Sequence, residues 1–337
     1  MRNSSTAVIG AGSWGTAIAL LLSSKGYHTY LWGHRPEHIV SLQKERQNSR
    51  YLPGFLFNEN LYPVEDITNH LGSCRVVNMV VPSQFFRGVF RKILPHLQKG
   101  TVIVSAVKGI ENDSLSTMTE VMHEEIDTFG SRADYTLAVL SGPSFAREVA
   151  EGHPTAVTVG SCDKDTAMML QNFFGTEIFR VYTSDDVTGL EISGAFKNII
   201  AIATGICDGL GYGMNTRAAL ITRGLAEISR YGVYRGADPR TFLGLSGVGD
   251  LILTSTGDLS RNRTVGIKLG NGKKLEQILE EMEMVAEGVK TSLSGYNLMK
   301  RAQVEMPILE QVYTILYENK DCAIAVKDLL SRQLRKE

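Results

Sequence analysis

Apolar positions in the first half of the chain fall into short β-rich runs, separated by stretches with helical spacing. Such alternation predicts a mostly parallel sheet with helices on both faces, an α/β fold of the doubly wound type. The run Val76–Val81 is nearly continuous in apolar residues, as expected for a strand buried on both sides. The predicted strands are Ala7–Ile9, Thr29–Trp32, Arg75–Val81, Thr101–Ser105, Thr136–Leu140, Ala156–Val159 and Ile178–Tyr182, and the helices between them include Pro36–Glu45, Phe85–Leu94 and Thr166–Phe174.

The pattern changes after about Ser184, where strand-like runs stop and long helical runs begin. Gly205–Gly213 carries four glycines and is predicted to be a loop between two helices. Because a single core stops growing near ~250–300 residues, the chain is predicted to form two domains, an α/β domain at 1–185 and an all-helical domain at 186–337. The predicted helices are Val187–Thr204, Arg217–Tyr231, Ala286–Gln303, Pro307–Glu318 and Ala323–Arg332.

The composition of the chain limits which ligands and which cellular compartment are expected. The net charge of −1 provides no general basic field, so neither nucleic acid nor membrane insertion is expected, and an anionic ligand would need a local cluster of cations. The four cysteines and seven histidines match no metal or redox spacing, which argues against a metal site and favours a reducing compartment. The sequence begins with no secretory pattern, and we expect a cytoplasmic protein.

A glycine motif follows the first predicted strand and opens an apolar helical stretch. In Gly10-Ala11-Gly12-Ser13-Trp14-Gly15, Gly10 permits the turn, Gly12 allows close approach of a pyrophosphate, and Gly15 allows tight packing of helix on strand. The helix N-terminus would add N–H donors for the phosphates. The motif therefore favours dinucleotide binding over an ordinary glycine turn.

His34 and Arg35 end the second predicted strand, where a NAD-specific site usually carries an acidic residue for the adenosine ribose. No Asp or Glu lies between Tyr30 and Pro36. A basic pair suits a 2′-phosphate better, so NADPH is expected to be accepted.

Ligands of such sheets bind beyond the carboxyl ends of the strands. Gly10–Gly15, Gly33–Arg35, Pro82-Ser83, Lys108-Gly109 and Ser141–Ser144 all lie at such ends. Lys108 could be a solvated loop lysine or part of a site for an anion or a polarised carbonyl.

Lys197 lies in a segment, Gly194–Ala203, that is apolar on nearly all sides and is therefore predicted to be a buried helix. Burial lowers the pKa of an amine and suits it to proton transfer near neutrality. The alternative is a lysine whose ammonium reaches water along the helix surface.

Further along, Ser260-Arg261-Asn262-Arg263 combines phosphate-binding guanidinium groups with neutral donors, although it could also be a solvated loop. Asp250 lies between Gly249 and an apolar run, where it could cap a helix or act in a site.

Several blocks in order resemble the soluble NAD(P)-dependent glycerol-3-phosphate dehydrogenases over nearly the whole length. The blocks are G-A-G-S-W-G-T-A, L-W-G-H-R, V-V-P-S, V-K-G-I, S-G-P-S-F-A-R-E-V, G-A-F-K-N-I-I, T-R-G-L-A-E, G-D-L-I-L-T, S-R-N-R and V-A-E-G. The resemblance implies an N-terminal Rossmann-type domain, a helical substrate domain, and reversible reduction of dihydroxyacetone phosphate to sn-glycerol 3-phosphate by NADPH or NADH. It also implies a homodimer whose product feeds glycerophospholipid synthesis.

The resemblance also implies roles for individual residues. Lys197 would be the catalytic acid and base. The implied substrate-binding residues are Lys108, Gly142, Ser144, Lys197, Asn198, Asp250, Thr254, Ser260, Arg261 and Asn262. The implied cofactor-binding residues are Gly10, Gly12, Ser13, Trp14, Gly15, His34, Arg35, Lys108, Ala146, Arg261, Val285 and Glu287.

The sequence leaves two other hypotheses about function open. A β-hydroxyacid or sugar-acid dehydrogenase would share the architecture and the helix lysine but would differ at Ser260–Asn262. A non-catalytic nicotinamide-binding sensor would keep Gly10–Gly15 and need no buried lysine.

Overall fold

A computed structural model of the protein describes residues 5–282 and 284–333. The chain forms two compact units: residues up to Val107 together with Ser116–Val187, and Lys108–Leu115 together with residues from Thr188 onward. The first unit is α/β, and the described part of the second is helical. Residues 108–115 thus group with the helical unit, whereas the sequence analysis placed one boundary at residue 185.

The strands belong to the first unit and include every strand predicted from the sequence, with bounds shifted by one or two residues. They are β1 (Ser5–Ile9), β2 (His28–Trp32), β3 (Gln47–Asn48), β4 (Leu52–Leu56), β5 (Leu61–Val64), β6 (Cys74–Met79), β7 (Thr101–Ser105), β8 (Tyr135–Ser141), β9 (Thr155–Gly160) and β10 (Phe179–Ser184). The helices of this unit are α1 (Ser13–Ser24), α2 (Pro36–Glu45), α3 (Thr68–Leu71), α4 (Ser83–Ile93), α5 (Met118–Phe129), α6 (Ala146–Glu151) and α7 (Lys164–Phe174).

Eight of these strands form one sheet in the order β10-β9-β8-β7-β6-β1-β2-β5. Neighbours run parallel except β8 and β9, which are antiparallel, so the sheet is mostly parallel as predicted. Along β1, Val8 packs in a cluster on one face, whereas Ala7 and Ile9 pack in a cluster on the other. Because side chains alternate along a strand, this arrangement means that the sheet is buried on both faces.

Three strands (β3, β4 and β5) and three helices (α3, α5 and α6) of this unit were not predicted. β5 contains Pro63, which interrupts a strand pattern but is tolerated at the edge of a sheet, where β5 lies. β3 has two residues and pairs only with β4, so it is too short to show an alternating pattern. α5 begins with a capping box between Thr117 and Glu120, a signal that the sequence analysis did not use.

The helical unit contains the predicted helices, most of them longer or shorter by a few residues. They are α8 (Val187–Gly209), α9 (Met214–Tyr234), α10 (Asp250–Thr256), α11 (Arg261–Gly270), α12 (Leu275–Glu280), α13 (Glu287–Ala302), α14 (Pro307–Tyr317) and α15 (Cys322–Leu330). Among the described residues, α8 is the one helix long and apolar enough to cross a membrane by composition, and its most apolar window is 100% buried within the protein.

The predicted loop at Gly205–Gly213 is wrong over its first half, because α8 continues to Gly209. The last two glycines of α8, Gly205 and Gly209, pack against the backbone of α11. A Cβ on Gly205 would lie 2.2 Å from the Arg263 carbonyl oxygen, and one on Gly209 would lie 2.4 Å from that of Ile267. These glycines therefore serve close helix packing, which overrides their low helix propensity.

Candidate functional site

The glycine turn between β1 and α1 has the geometry that the sequence predicts. Gly10 has φ +129°, and a Cβ there would lie 2.5 Å from the Val80 carbonyl oxygen. A Cβ on Gly15 would lie 1.8 Å from the Gly10 oxygen, so neither position accepts a side chain. A Cβ on Gly12 would meet no atom within 4 Å, and Gly12 is the N-cap of α1 with no side chain to cap it. Open space before an uncapped helix N-terminus fits a diphosphate.

Other predicted residues of the first unit include Trp14, on α1, and those that follow β8. The Trp14 indole N–H is buried and has no hydrogen-bond partner among the described residues. Gly142 follows β8 with φ +143°, and Ser144 Oγ donates to its carbonyl oxygen at 3.1 Å. Ala146 is the first residue of α6, which packs against α1. The predicted residues in this part of the unit thus follow the carboxyl ends of β1 and β8, two strands of the same sheet.

The end of β2 is basic. Arg35 is the N-cap residue of α2, and its Nε lies 3.3 Å from His34 Nε2. Arg50 packs over the ring of Tyr51, which in turn contacts the ring of His38 edge-on. Burial lowers the pKa of His38, and both Arg50 and Arg35 lower it further. Arg50 was not among the predicted residues, because nothing local in the sequence links it to Arg35.

In the helical unit, the structure brings Lys197, Asp250 and Thr254 together. Lys197 Nζ donates to Asp250 Oδ1 at 2.6 Å and to Thr254 Oγ1 at 2.6 Å. The lysine and aspartate side chains are only 7% and 1% exposed. The lysine therefore does not reach water along the helix surface, and Asp250 does more than cap α10.

Lys108 belongs to the same cluster. Its Nζ donates to Asp250 Oδ2 at 2.8 Å, so one buried carboxylate receives two ammonium groups. Burial lowers the pKa of Lys197 from 10.5 to about 7; Asp250 opposes this shift, whereas Lys108 and Arg261 add to it. Burial alone would raise the pKa of Asp250, but Lys108 and Lys197 hold it below its usual value. An amine that titrates near neutrality can both give and take a proton.

Asn198 and Asn262 form a chain of amide hydrogen bonds beside this cluster. Asn198 Nδ2 donates to the Lys108 carbonyl oxygen at 3.0 Å, and Asn262 Nδ2 donates to Asn198 Oδ1 at 2.9 Å. Asn262 Oδ1 accepts from Gly288 N–H at 2.9 Å, in the first turn of α13. Both side-chain amides thus hold backbone groups in place beside the lysine cluster.

The start of α11 carries the remaining predicted residues. Ser260 is its N-cap, and its Oγ accepts from Arg263 N–H at 3.2 Å. Arg261 is exposed, and its Nη1 donates to the Val285 carbonyl oxygen at 3.1 Å. Glu287 opens α13 and is close enough to interact electrostatically with Arg261. A guanidinium beside a helix N-terminus suits a phosphate.

No group of three or more His, Cys, Asp or Glu side chains that could hold a metal occurs within residues 5–282 and 284–333. The predicted cofactor-binding residues divide between the units: Gly10–Gly15, His34, Arg35 and Ala146 lie in the α/β unit, and the others lie in the helical unit.

A glycine turn with space for a diphosphate on a doubly wound sheet and a buried, charge-paired lysine in a helical unit are the features of an NAD(P)-dependent oxidoreductase. Two family models cover most of the chain: the NAD-dependent glycerol-3-phosphate dehydrogenase N-terminus matches residues 5–167, and the corresponding C-terminus matches residues 186–327. The chain belongs to the NAD-dependent glycerol-3-phosphate dehydrogenase family.

Individual proteins agree with this assignment. Two similar relatives are both named glycerol-3-phosphate dehydrogenase [NAD(P)+]: one from Desulfotalea psychrophila, 59% identical over 99% of this chain and 98% of its own, and one from Citrifermentans bemidjiense, 54% identical over 98% of each. The crystal structure of glycerol-3-phosphate dehydrogenase from Coxiella burnetii is 39% identical, with a TM-score of 0.94 over 98% of this chain and 100% of its own.

Proposed function

We propose that the protein catalyses the reversible NAD(P)-dependent reduction of dihydroxyacetone phosphate to sn-glycerol 3-phosphate. The observation that carries this proposal is the buried Lys197 ammonium on Asp250 and Thr254, with Lys108 on the same carboxylate. The names of the most similar relatives support the choice of substrate.

Lys197 is the proton donor in the reductive direction. The nicotinamide, when bound, supplies the hydride to the carbonyl carbon, and the carbonyl oxygen then takes one proton from the Lys197 ammonium. Lys108 stabilises negative charge on that oxygen as it develops. Asp250 and Thr254 hold the Lys197 amine in place. In the oxidative direction the neutral Lys197 amine takes the hydroxyl proton back.

Ser260, Arg261 and Asn262 hold the substrate phosphate. The supporting observations are the N-terminus of α11 at Ser260 and the exposed guanidinium of Arg261. Gly142 and Ser144 are also assigned to the substrate, and Asn198 supports Lys108 by donating to its carbonyl oxygen.

Gly10, Gly12, Ser13, Trp14 and Gly15 would hold the cofactor diphosphate. The other residues assigned to the cofactor are Ala146, Arg261, Val285 and Glu287. His34 and Arg35 accept the 2′-phosphate of NADPH. Support for this last role comes from the absence of any ion pair to Arg35 or Arg50 within the part of the chain that the structure describes.

In this proposal residues 1–185 act as the dinucleotide-binding domain and residues 186–337 as the catalytic and substrate domain. Lys108, which groups with the helical unit, serves the catalytic side. The protein acts in the cytoplasm as a homodimer, and its product enters glycerophospholipid synthesis.

The test is a substrate panel. Purified protein is mixed with NADPH or NADH, and oxidation of the reduced nicotinamide is followed by absorbance. The compounds tested are dihydroxyacetone phosphate, unphosphorylated dihydroxyacetone, β-keto acids and the keto forms of sugar acids. Fast turnover is expected only with the phosphorylated triose, and slow turnover is expected with unphosphorylated dihydroxyacetone. Turnover with the acids would instead assign a hydroxyacid dehydrogenase, and binding of cofactor without turnover of any compound would assign a sensor.

A further inference from the structure

The side chain of Asn48 is buried, and its amide makes hydrogen bonds to the glycine turn, to α1, and to Tyr51 and His38. The side chain is 0% exposed. Its Nδ2 donates to the Ala11 carbonyl oxygen at 3.1 Å and to Thr16 Oγ1 at 2.7 Å. Its Oδ1 accepts from Tyr51 N–H at 3.1 Å and lies 3.1 Å from His38 Nε2. An asparagine amide offers two donors and two acceptor sites, and all four are used here.

Thr16 extends this contact to the next peptide of the turn. Thr16 Oγ1 donates to the Gly12 carbonyl oxygen at 2.8 Å, and the Thr16 N–H donates to the same oxygen at 2.9 Å. Asn48 therefore holds the Ala11 carbonyl group directly and the Gly12 carbonyl group through Thr16.

The direction of these carbonyl groups determines the direction of the N–H groups that follow them. A trans peptide is planar, and its C=O and N–H point in opposite directions. Because Asn48 fixes the Ala11 carbonyl, it also turns the Gly12 N–H away from itself. Gly12 is the position where a Cβ would meet only open space. Gly12 thus combines an N–H that points away from Asn48 with a position beside the open space that fits a diphosphate.

We propose that Asn48 is a positioning residue for dinucleotide binding, which sets the peptide planes of the glycine turn without touching the cofactor. This inference rests on the proposed function, because it assumes that the turn binds a dinucleotide. Nothing in the glycine motif itself marks Asn48, which lies 37 residues after Ala11.

The experiment measures the dissociation constant of NADH by nucleotide fluorescence for the wild type and for Asn48→Leu, which keeps the volume and removes every hydrogen bond. Loss of one or two oriented donors is expected to raise the dissociation constant by about 10-fold. Turnover at saturating NADH is expected to stay within about 3-fold of wild type, because Lys197 belongs to the other unit.

Asn78→Leu is the matched control. Asn78 is also 0% exposed in the same unit, and its Nδ2 donates to the Ala7 carbonyl oxygen within β1 at 3.0 Å, away from the turn. Both variants should lose stability, but only Asn48→Leu should lose affinity. If Asn48→Leu weakens NADH binding no more than Asn78→Leu does, the role of Asn48 is structural and the inference is wrong.

Asn48→Asp covers the case in which the leucine variant does not fold. It keeps the shape and both acceptor sites but removes both donors, so weaker NADH binding than in the wild type is expected again. If Asn48→Asp binds NADH as tightly as the wild type does, the inference about Asn48 is wrong and the proposed function is unaffected. Failure of the wild type to bind either NADH or NADPH would overturn the proposed function as well.

Discussion

Lys197 and Asp250 form a buried ion pair, with Nζ 2.6 Å from Oδ1, in which the carboxylate is shared with a second ammonium group. Two cations and one anion leave the cluster with an excess positive charge. Burial is the main cause that lowers the pKa of Lys197 to about 7 in spite of its carboxylate partner, and this excess charge, through Lys108, adds to the shift. The same charge is suited to a negatively charged substrate and to a developing alkoxide.

Replacement of Lys197 by Met should lower turnover by at least ~10²-fold, because general acid catalysis is typically worth ~10²–10⁴-fold. The dissociation constant of NADPH should change little, since the glycine turn lies in the other unit. Steady-state kinetics and cofactor fluorescence measure the two quantities. Lys300→Met, at an exposed lysine of the same unit, is the control and should be unaffected. Turnover near that of the wild type in Lys197→Met would remove the lysine from the mechanism.

The pH dependence should differ in sign between the two directions. Reduction needs the charged Lys197, so its kcat/KM should fall as pH rises through about 7, whereas oxidation needs the neutral amine and should rise through the same pKa. Asp250→Asn removes the charge that raises the pKa of Lys197, and both profiles should therefore move to lower pH. Profiles of kcat/KM over about pH 5–9 test this, and a move to higher pH would contradict the assignment.

Replacement of Arg261 by Ala should act on substrate binding. A charge-assisted hydrogen bond is worth about 1.5–3 kcal/mol, so KM for dihydroxyacetone phosphate should rise by about 10–100-fold. The change should vanish with unphosphorylated dihydroxyacetone, which cannot use the contact. The control, Arg240→Ala, removes another exposed guanidinium of the helical unit, one that pairs with Asp238. It should leave KM unchanged for both dihydroxyacetone phosphate and unphosphorylated dihydroxyacetone. An equal loss with both substrates would place Arg261 elsewhere in the mechanism.

Charge reversal at Arg35 should change cofactor choice. Arg35→Glu should lower kcat/KM with NADPH relative to NADH by at least about 10-fold, because a carboxylate repels the 2′-phosphate and suits the ribose hydroxyl groups. Lys44→Glu makes the same charge change at the last turn of α2 and should keep the wild-type ratio. A wild type that strongly favours NADH would count against a phosphate site at His34 and Arg35.

The sequence predicted the regular parts of the fold because their periodicity is local. The run through Val76–Val81 identified a central strand, and the bounds of α2 were predicted without error. Tertiary contacts decided the rest. Gly205 and Gly209 look like loop residues until α11 packs on them, and β5 contains a proline that only an edge position tolerates.

The residues of the candidate site, like the elements of the fold, could be predicted only where the signal is local in the sequence. Lys197 could be found because an amine within an apolar helix is conspicuous. Its partnership with Asp250 joins residues 53 positions apart, and no spacing rule predicts it. Whether Asp250 caps a helix or serves a site could be decided only by its contacts, and Asn48 carried no local signal because its partners lie on other elements.

Glu227 should give the protein a pH-dependent stability that is independent of the site. Its side chain on α9 is buried, and its carboxylate accepts from the N–H groups of Ile308 and Leu309 at the start of α14. Burial raises the pKa of Glu227 from 4.5 to about 7, although these hydrogen bonds oppose the shift. The folded state therefore keeps a proton that the unfolded state releases. The stabilisation is fully present below about pH 4.5 and is lost as pH rises through about 7.

At about 1.4 kcal/mol per pKa unit, the free energy of unfolding of the wild type should fall by up to about 3 kcal/mol over this interval relative to Glu227→Gln, which does not titrate. Denaturant unfolding of both proteins between about pH 4.5 and 8 measures the difference. Glu310→Gln replaces a carboxylate that pairs with Lys300 at the surface and should keep the wild-type slope. If Glu227→Gln also keeps that slope, the Glu227 carboxyl titrates normally, and the two N–H groups at the start of α14 are sufficient to hold its charge in the folded state.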